Sequence, residues 1–374
     1  MALKDIIGQE RALGILRGCI AKNRLAHAYL FAGDAGIGKR LTAVNFAKAL
    51  NCRRQNTEHG MQNTDTPPPR PLPQGEGESI IIPSPLTGEG KGGGENLGSG
   101  LWALGSEIDC CDECPSCIKT DKAIHPDVFF IAPEGDGGQI TIKIIRQLEE
   151  QLSYKSFEGR WKVAVIDMAE NLNQSAANAF LKTLEEPPAH SLLILISSRP
   201  ELIPDTIRSR CQTVRFSPLP LEKMTELLNH ETQNANHKLI SLLSAGRLGD
   251  ALSEDMIGRR DDSLDKLKSL LGNIEGVSWA DRDSMEEWFE WAQLWLRDIA
   301  VFKATDHAGL LINYDKEAEI KNISQHADLR EILALSDKLN DIKDRLRFNL
   351  NKELTFYYTS ILLKEALGRI DAGR

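Results

Sequence analysis

Apolar positions follow two regimes along this chain. Up to about residue 217, short apolar runs alternate with stretches in which apolar residues recur every three or four positions. Gln9 to Ala21 carries Leu13, Leu16 and Ile20 at helical spacing. Ala28-Tyr-Leu-Phe-Ala32 reads as a short strand, and Leu41 to Leu50 as the helix that follows it. Pro126 to Ile131, Lys162 to Asp167 and Ser191 to Ser197 read as further strands, the last of them apolar throughout, as in the middle of a parallel sheet. Ile142 to Leu152 and Gln174 to Leu184 read as helices, the second stopped by Pro187 and Pro188. Strands alternating with helices predict right-handed βαβ crossovers and an α/β core. After about Pro218 the strand pattern stops. Leu219 to Ser253 reads as a small helical module, and about Ser263 to Arg374 as a separate helical domain with segments such as Trp288 to Phe302 and Leu329 to Leu346.

From about Arg53 to Glu107 neither period holds. Runs such as Pro67-Pro-Pro-Arg-Pro-Leu-Pro and Gly90-Lys-Gly-Gly-Gly94 cannot bury enough apolar surface to offset the entropy of ordering, so a disordered surface insertion is expected. Its one apolar island, Ile80-Ile-Ile-Pro83, carries no further signal of a role.

The strand at residues 28–32 runs into Gly33-Asp-Ala-Gly36-Ile-Gly38-Lys39-Arg40. The phosphate-loop pattern is G-x-x-x-x-G-K-[ST], set between a strand and a helix. Gly33, Gly36, Gly38 and Lys39 supply the backbone cradle and the cation for phosphate oxygens. Arg40 replaces the hydroxyl that would hold Mg²⁺, and a guanidinium offers no acceptor. The apolar strand that ends in Asp167 is the expected place for the carboxylate of the Mg²⁺ shell. ATPases of this type usually follow that Asp with Glu, and here Met168 follows, while Glu170 lies two residues further on. Two hydrolytic parts are missing, so the loop is expected to bind ATP or ADP at most, with no Mg²⁺ and no useful turnover.

Charge and length refine this picture. The 374 residues allow two or three domains, and a net charge of −9 makes tight DNA binding by this chain alone a poor expectation. There is no apolar run of about 18 residues, and Met1-Ala-Leu-Lys-Asp5 lacks a secretory core, so no membrane and a cytoplasmic location are expected. Of seven cysteines, four crowd into Cys110-Cys111-Asp-Glu-Cys114-Pro-Ser-Cys117, a spacing that favours metal over disulfides in such a compartment. Cys111, Cys114 and Cys117 give C-x₂-C-x₂-C, and a tetrahedral Zn²⁺ needs a fourth ligand. Cys19 and Cys211 read as packing residues.

Several segments together resemble one family. Arg24-Leu-Ala-His-Ala-Tyr-Leu-Phe-Ala-Gly33, Asn178-Ala-Phe-Leu-Lys-Thr-Leu-Glu-Glu-Pro-Pro188 and Thr206-Ile-Arg-Ser-Arg-Cys211 are similar to the bacterial DNA polymerase III clamp-loader subunits. The resemblance covers about residues 5 to 260 apart from the insertion. It implies an AAA+ α/β P-loop domain with a zinc module (1–217), a helical lid (218–262) and an all-α collar (263–374). The defective nucleotide motifs resemble the delta-prime branch and not the ATP-hydrolysing gamma/tau motors. The resemblance also implies that Arg210 acts in trans as an arginine finger on a neighbouring subunit's ATP, with Arg208 its nearest rival. In Ser244-Ala-Gly-Arg-Leu-Gly-Asp-Ala-Leu252, Gly249 stands where motors carry a sensor arginine, and Arg247 is two residues away. The family's structural zinc module has its first cysteine at the end of the P-loop helix, which points to Cys52 as the fourth ligand beside Cys111, Cys114 and Cys117. Cys110 or Cys111 remain alternatives for the second. His27 and His125-Pro126-Asp127 also follow the family pattern; His27 reads as structural, and Pro126 as fixing the start of the strand.

The expected function is that of a delta-prime-like subunit. It would join motor (gamma/tau-like) and delta-like subunits in a hetero-pentamer that places a sliding clamp on primed DNA. The alternative is a gamma/tau-like motor in which Glu170 or a partner residue supplies the base. A third reading, a zinc-stabilised scaffold in which Arg210 is only structural, belongs to a different class.

Overall fold

A computed structural model describes residues 2–54, 109–134, 138–231, 236–253, 255–272, 279–346 and 350–368. Residues 55–107, most of the insertion expected over about 53–107, lie outside these. The chain divides into two compact units, Met1–Pro218 and Leu219–Arg374.

The first unit is built on five parallel strands: β1 (Ala28–Ala32), β2 (Val128–Ile131), β3 (Lys162–Ile166), β4 (Ser191–Ser197) and β5 (Gln212–Arg215), in the order β2-β3-β4-β1-β5. The three inner strands are buried at every position, as continuous apolar runs require when helices cover both faces. One face packs Tyr29, Phe31, Val163, Val165, Ile194 and Ile196 against the helices Glu10–Ala21 and Lys39–Asn51. Tyr29 meets Phe46 edge-on at 5.7 Å. The other face packs Leu30, Ala164, Ile166, Leu193 and Leu195 against Ile142–Ser153 and Gln174–Glu185. β5 is an edge strand with the burial pattern exposed, exposed, buried, exposed, and its single inward residue, Val214, left too weak an apolar signal to be read as a strand.

A buried carboxylate fixes the start of β2. Asp127 is 0% exposed, and its oxygens accept the backbone N–H groups of Phe157, Glu158 and Gly159, each at 2.7 Å. Asn51 holds the next residues: its Oδ1 accepts from Arg160 and Trp161 N–H at 2.9 Å, and its Nδ2 donates to Trp161 C=O at 2.9 Å. The His125-Pro126-Asp127 motif thus serves to lock the approach to β3.

The second unit is all helical: Leu221–Glu231, His237–Ser244, Leu248–Ala251, Met256–Leu271, Arg282–Thr305, Glu317–Gln325, Leu329–Arg345 and Lys352–Leu367. Apolar residues from Leu219 to Leu367 share one core. Trp288 and Trp295 donate their indole N–H to Ser263 C=O and Oγ at 3.1 and 2.9 Å. Arg260, 1% exposed, forks onto both oxygens of Asp315 at 2.7 Å. The helix Met256–Leu271 runs through the position read from sequence as the lid–collar boundary. Among the described residues no helix is long and apolar enough to cross a membrane.

Burial works against the Asp127 charge, but the three N–H bonds outweigh it and hold its pKa below the usual carboxylate range. Its stabilisation is therefore complete above the unfolded value of about 3.9 and lost as pH falls through the lower folded value. Asp127→Ala, which strands three N–H donors, is expected to lower unfolding free energy in urea at pH 7 by about 2–4 kcal/mol and to blunt the acid loss of stability. An unchanged urea midpoint would mean that other contacts hold the 157–159 loop.

Candidate functional site

The phosphate loop opens where β1 ends. Gly33 has φ 147°, and a Cβ there would stand 2.6 Å from the carbonyl oxygen of Phe216 and 2.9 Å from Ile37 Cδ1, so the position admits only glycine. Gly38, at φ 92°, turns the chain into the helix Lys39–Asn51. Gln9 braces the loop from outside, donating to Ile37 C=O at 3.1 Å and Ser217 C=O at 2.7 Å. Strand, glycine loop and helix therefore keep the P-loop form.

The side chains inside the loop are engaged with one another. Lys39 is 6% exposed, and its Nζ donates to the Gly33 and Asp34 carbonyls. Burial pulls its pKa below the lysine range, against Glu170, Asp167 and Asp34, which favour its charge. Arg40 reaches across to Asp167, with Nη1 3.4 Å from Oδ2. The guanidinium thus sits on the carboxylate that a Mg²⁺ shell would use. Met168 follows in a left-handed conformation, φ 49°, and its exposed thioether has no base chemistry. Glu170, two residues beyond Met168, turns toward this region. Its Oε1 accepts from Ser198 N–H and Oγ–H at 3.1 and 2.8 Å, just past the end of β4. Only the fold, by returning β4 beside β3, reveals that pairing.

Arg210 lies elsewhere. It closes the turn after the short helix Asp205–Arg208 and precedes β5, which runs parallel to β1 with Tyr29 opposite Gln212. Gly33 follows the far end of β1. Arg210 and the phosphate loop therefore sit at opposite edges of the sheet, separated by about five residues of strand, or about 16 Å. The Arg210 guanidinium donates to Thr206 C=O at 2.8 Å and pairs with Glu185 at 2.6 Å. Both ends of that pair are partly exposed, at 33% and 52%, so it is worth about 0–1 kcal/mol and is readily exchanged. Arg208 pairs with Asp205 and donates to Pro200 C=O at 3.3 Å. His27 is partly buried ahead of β1, and burial pushes its pKa down, so it is neutral at pH 7. In the second unit Gly249 lies in the short helix Leu248–Ala251, and Arg247 is held by Asp250 at 3.0 Å.

The cysteines form the second site. The Sγ atoms of Cys52, Cys111, Cys114 and Cys117 lie within 4.8 Å of one another. A tetrahedral zinc with Zn–S of about 2.3 Å sets its sulfurs about 3.8 Å apart, so the set fits such an ion with small adjustment. Cys52 stands at the C-terminal end of Lys39–Asn51, and Cys117 in the helix Pro115–Asp121. Cys114 N–H donates to Cys111 Sγ at 3.3 Å, the backbone support expected for a thiolate ligand. Lys48 is fully buried beside them; its Nζ donates to both Asp121 oxygens at 2.9 Å and pairs with Asp112. Burial opposes that charge, but the two aspartates win and raise its pKa above the lysine range. Cys19 and Cys211 lie outside the cluster, and among the described residues there is no disulfide.

The fold and the loop define a P-loop domain of AAA+ type joined to a helical unit. The family model "DNA polymerase III, delta subunit" matches residues 8–67 and 102–220, and "DNA polymerase III, delta subunit, C terminal" matches 274–364. DNA polymerase III subunit delta' of Pseudomonas aeruginosa is 28% identical over 98% of this chain and 97% of its own length. Subunit delta' of Bacillus subtilis is 30% identical over 56% of this chain and 48% of its own. Subunit tau/gamma of Haemophilus influenzae is 31% identical over 72% of this chain and 33% of its own. The chain spans about a third to a half of the length of the tau and tau/gamma relatives it matches. The chain belongs to the DNA polymerase III clamp-loader subunit family.

The purified chain is expected to carry one metal ion, measured by mass spectrometry of the metal. Cys52→Ser is expected to lose that ion and to lower the thermal midpoint as chelation does. A C52S protein with full metal content would contradict the four-cysteine assignment.

Proposed function

We propose that this chain is a delta-prime-like subunit of a clamp loader: inactive on ATP in its own loop, and catalytic for a neighbour through Arg210. In this reading the 1–217 domain carries the finger and a zinc module, 218–262 forms the lid and 263–374 the collar. Motor and delta-like subunits complete the ring that places a sliding clamp on primed DNA. Zn²⁺ is structural, with all four positions filled by cysteine and none open for substrate.

The observation that carries the reading is the separation of Arg210 from Lys39 along a parallel strand pair. A guanidinium held on Thr206 C=O and Glu185, on a residue whose backbone lies about 16 Å along the strands from the loop, is out of reach of a phosphate bound there, so any nucleotide it serves belongs to another subunit. Such a cation stabilises charge that develops on the γ-phosphate, worth about 10³–10⁵ in rate. The Arg40–Asp167 pair and Met168 supply the other half of the argument, because they remove the metal ligand and the base from the loop. An apolar stripe on the last helix favours assembly through the C-terminal unit. Leu354, Tyr357, Tyr358 and Ile361 recur at i, i+3, i+4 and i+7, each at least half exposed.

A gamma/tau-like motor is the second reading. It is favoured by Glu170, whose carboxylate acts on Lys39 and sits with Ser198, and by the tau and tau/gamma relatives.

The test is Arg210→Ala in a ring reconstituted with motor and delta-like subunits. Assembly on gel filtration is expected to be unchanged. ATP turnover at the motor site facing Arg210 is expected to fall about 10³-fold or more, and clamp loading with it, while Arg208→Ala keeps both. Unchanged turnover and loading in the R210A ring would leave Arg210 a structural residue paired to Glu185.

A further inference from the structure

The cysteine cluster holds one more thiol than a tetrahedral ion needs. Cys110 is 6% exposed and packs with Cys52, Cys117 and Ala2, while Cys111 and Cys114 pack against this group from its partly exposed side. Successive residues of an extended segment normally point to opposite faces. Here Cys110 and Cys111 both turn into one cluster, and the kink falls at Asp112, which adopts φ 58°. The Cys110 thiol donates to Asp112 Oδ1 at 3.4 Å and neighbours the Cys117 side chain. Its backbone is held independently of any metal. Asp109 accepts from Cys110 N–H at 2.8 Å and, through the same carboxylate, from Leu3 and Lys4 N–H at 2.8 and 2.7 Å.

We propose that Cys110 is a reserve ligand of this metal site and takes the place of Cys111 when that thiol is lost. The inference rests on the reading that the cluster binds a metal ion. A tetrahedral ion has four positions, and Cys52, Cys114 and Cys117 fill three of them, so the change is an exchange and not a fifth coordination. The metal–sulfur bond to Cys111 is replaced by one to Cys110, and the Cys110 proton leaves to solvent. The advantage follows from exposure. Oxidants and alkylating agents reach a thiolate according to its access, so the partly exposed Cys111 is reached before the buried Cys110. A site with a sheltered spare keeps its ion, and the fold around Cys52 and the Pro115–Asp121 helix, after the partly exposed Cys111 is spent. The buried Lys48 ammonium lies against the same segment through Asp112, whichever of the two sulfurs is bound.

The experiment compares the full-length wild type with C111S, C110S/C111S and C52S, measuring metal per chain, circular dichroism and the sulfur-to-metal charge-transfer band of the cobalt-loaded proteins. C111S is expected to fold, to keep one ion and to retain the four-sulfur band. C110S/C111S and C52S are expected to bind the ion more than about 100-fold more weakly, beyond the loss that changes outside the ligand set produce. The proposal is overturned if C111S loses the ion, shows a three-sulfur band or misfolds as the double variant does. A wild type without metal would instead overturn the reading on which the proposal rests.

Discussion

The parallel pairing of β1 with β4 on one side and β5 on the other is the constraint from which the rest of the first unit follows. Because every strand runs the same way, residues after strands gather at one edge and residues before strands at the other. Gly33 to Lys39 after β1, Asp167 after β3 and Ser198 after β4 share the first edge. His27 before β1 and Arg210 before β5 share the second. The glycine loop and Arg210 are thereby held a strand's length apart along the β1–β5 pair. No side-chain rotation bridges that distance. In the proposed assembly, a neighbouring subunit would bring its own nucleotide loop to Arg210.

The same constraint explains how the loop keeps the P-loop form with Arg40 and Met168 in place of the usual residues. Gly33 is required by the Phe216 carbonyl 2.6 Å from where its Cβ would stand, and Gly38 by its left-handed turn into the helix. Neither requirement involves a nucleotide. Arg40 and Met168 face outward, at 64% exposure for the first and 54% for the second, so they change without disturbing the core. Packing preserves the cradle, and nothing in packing preserves the hydroxyl or the base.

Much of this was legible in the sequence because the inner strands are buried at every position and the glycine loop sits between a strand and a helix. The four cysteines came together as expected, although Cys52 is separated from the others by the whole insertion. Other features were hidden for physical reasons. β5 buries one residue of four and has no period to detect. Glu170 reaches Ser198 only because β4 returns beside β3. Asp127 and Asn51 hold a loop about thirty and about a hundred residues away, and such side-chain-to-backbone bonds leave no local pattern. The burial of Cys110 with the other clustered cysteines depends on the left-handed turn at Asp112, an angle that no sequence pattern reports.

The central claim is that this chain supplies chemistry to a neighbour and performs none in its own loop. It is tested most directly by ATP turnover of the purified chain alone, measured beside Lys39→Ala. The account predicts equal, background turnover for the two proteins. Turnover that Lys39→Ala abolishes would contradict it, and would make the loop an active motor with Glu170 as its base.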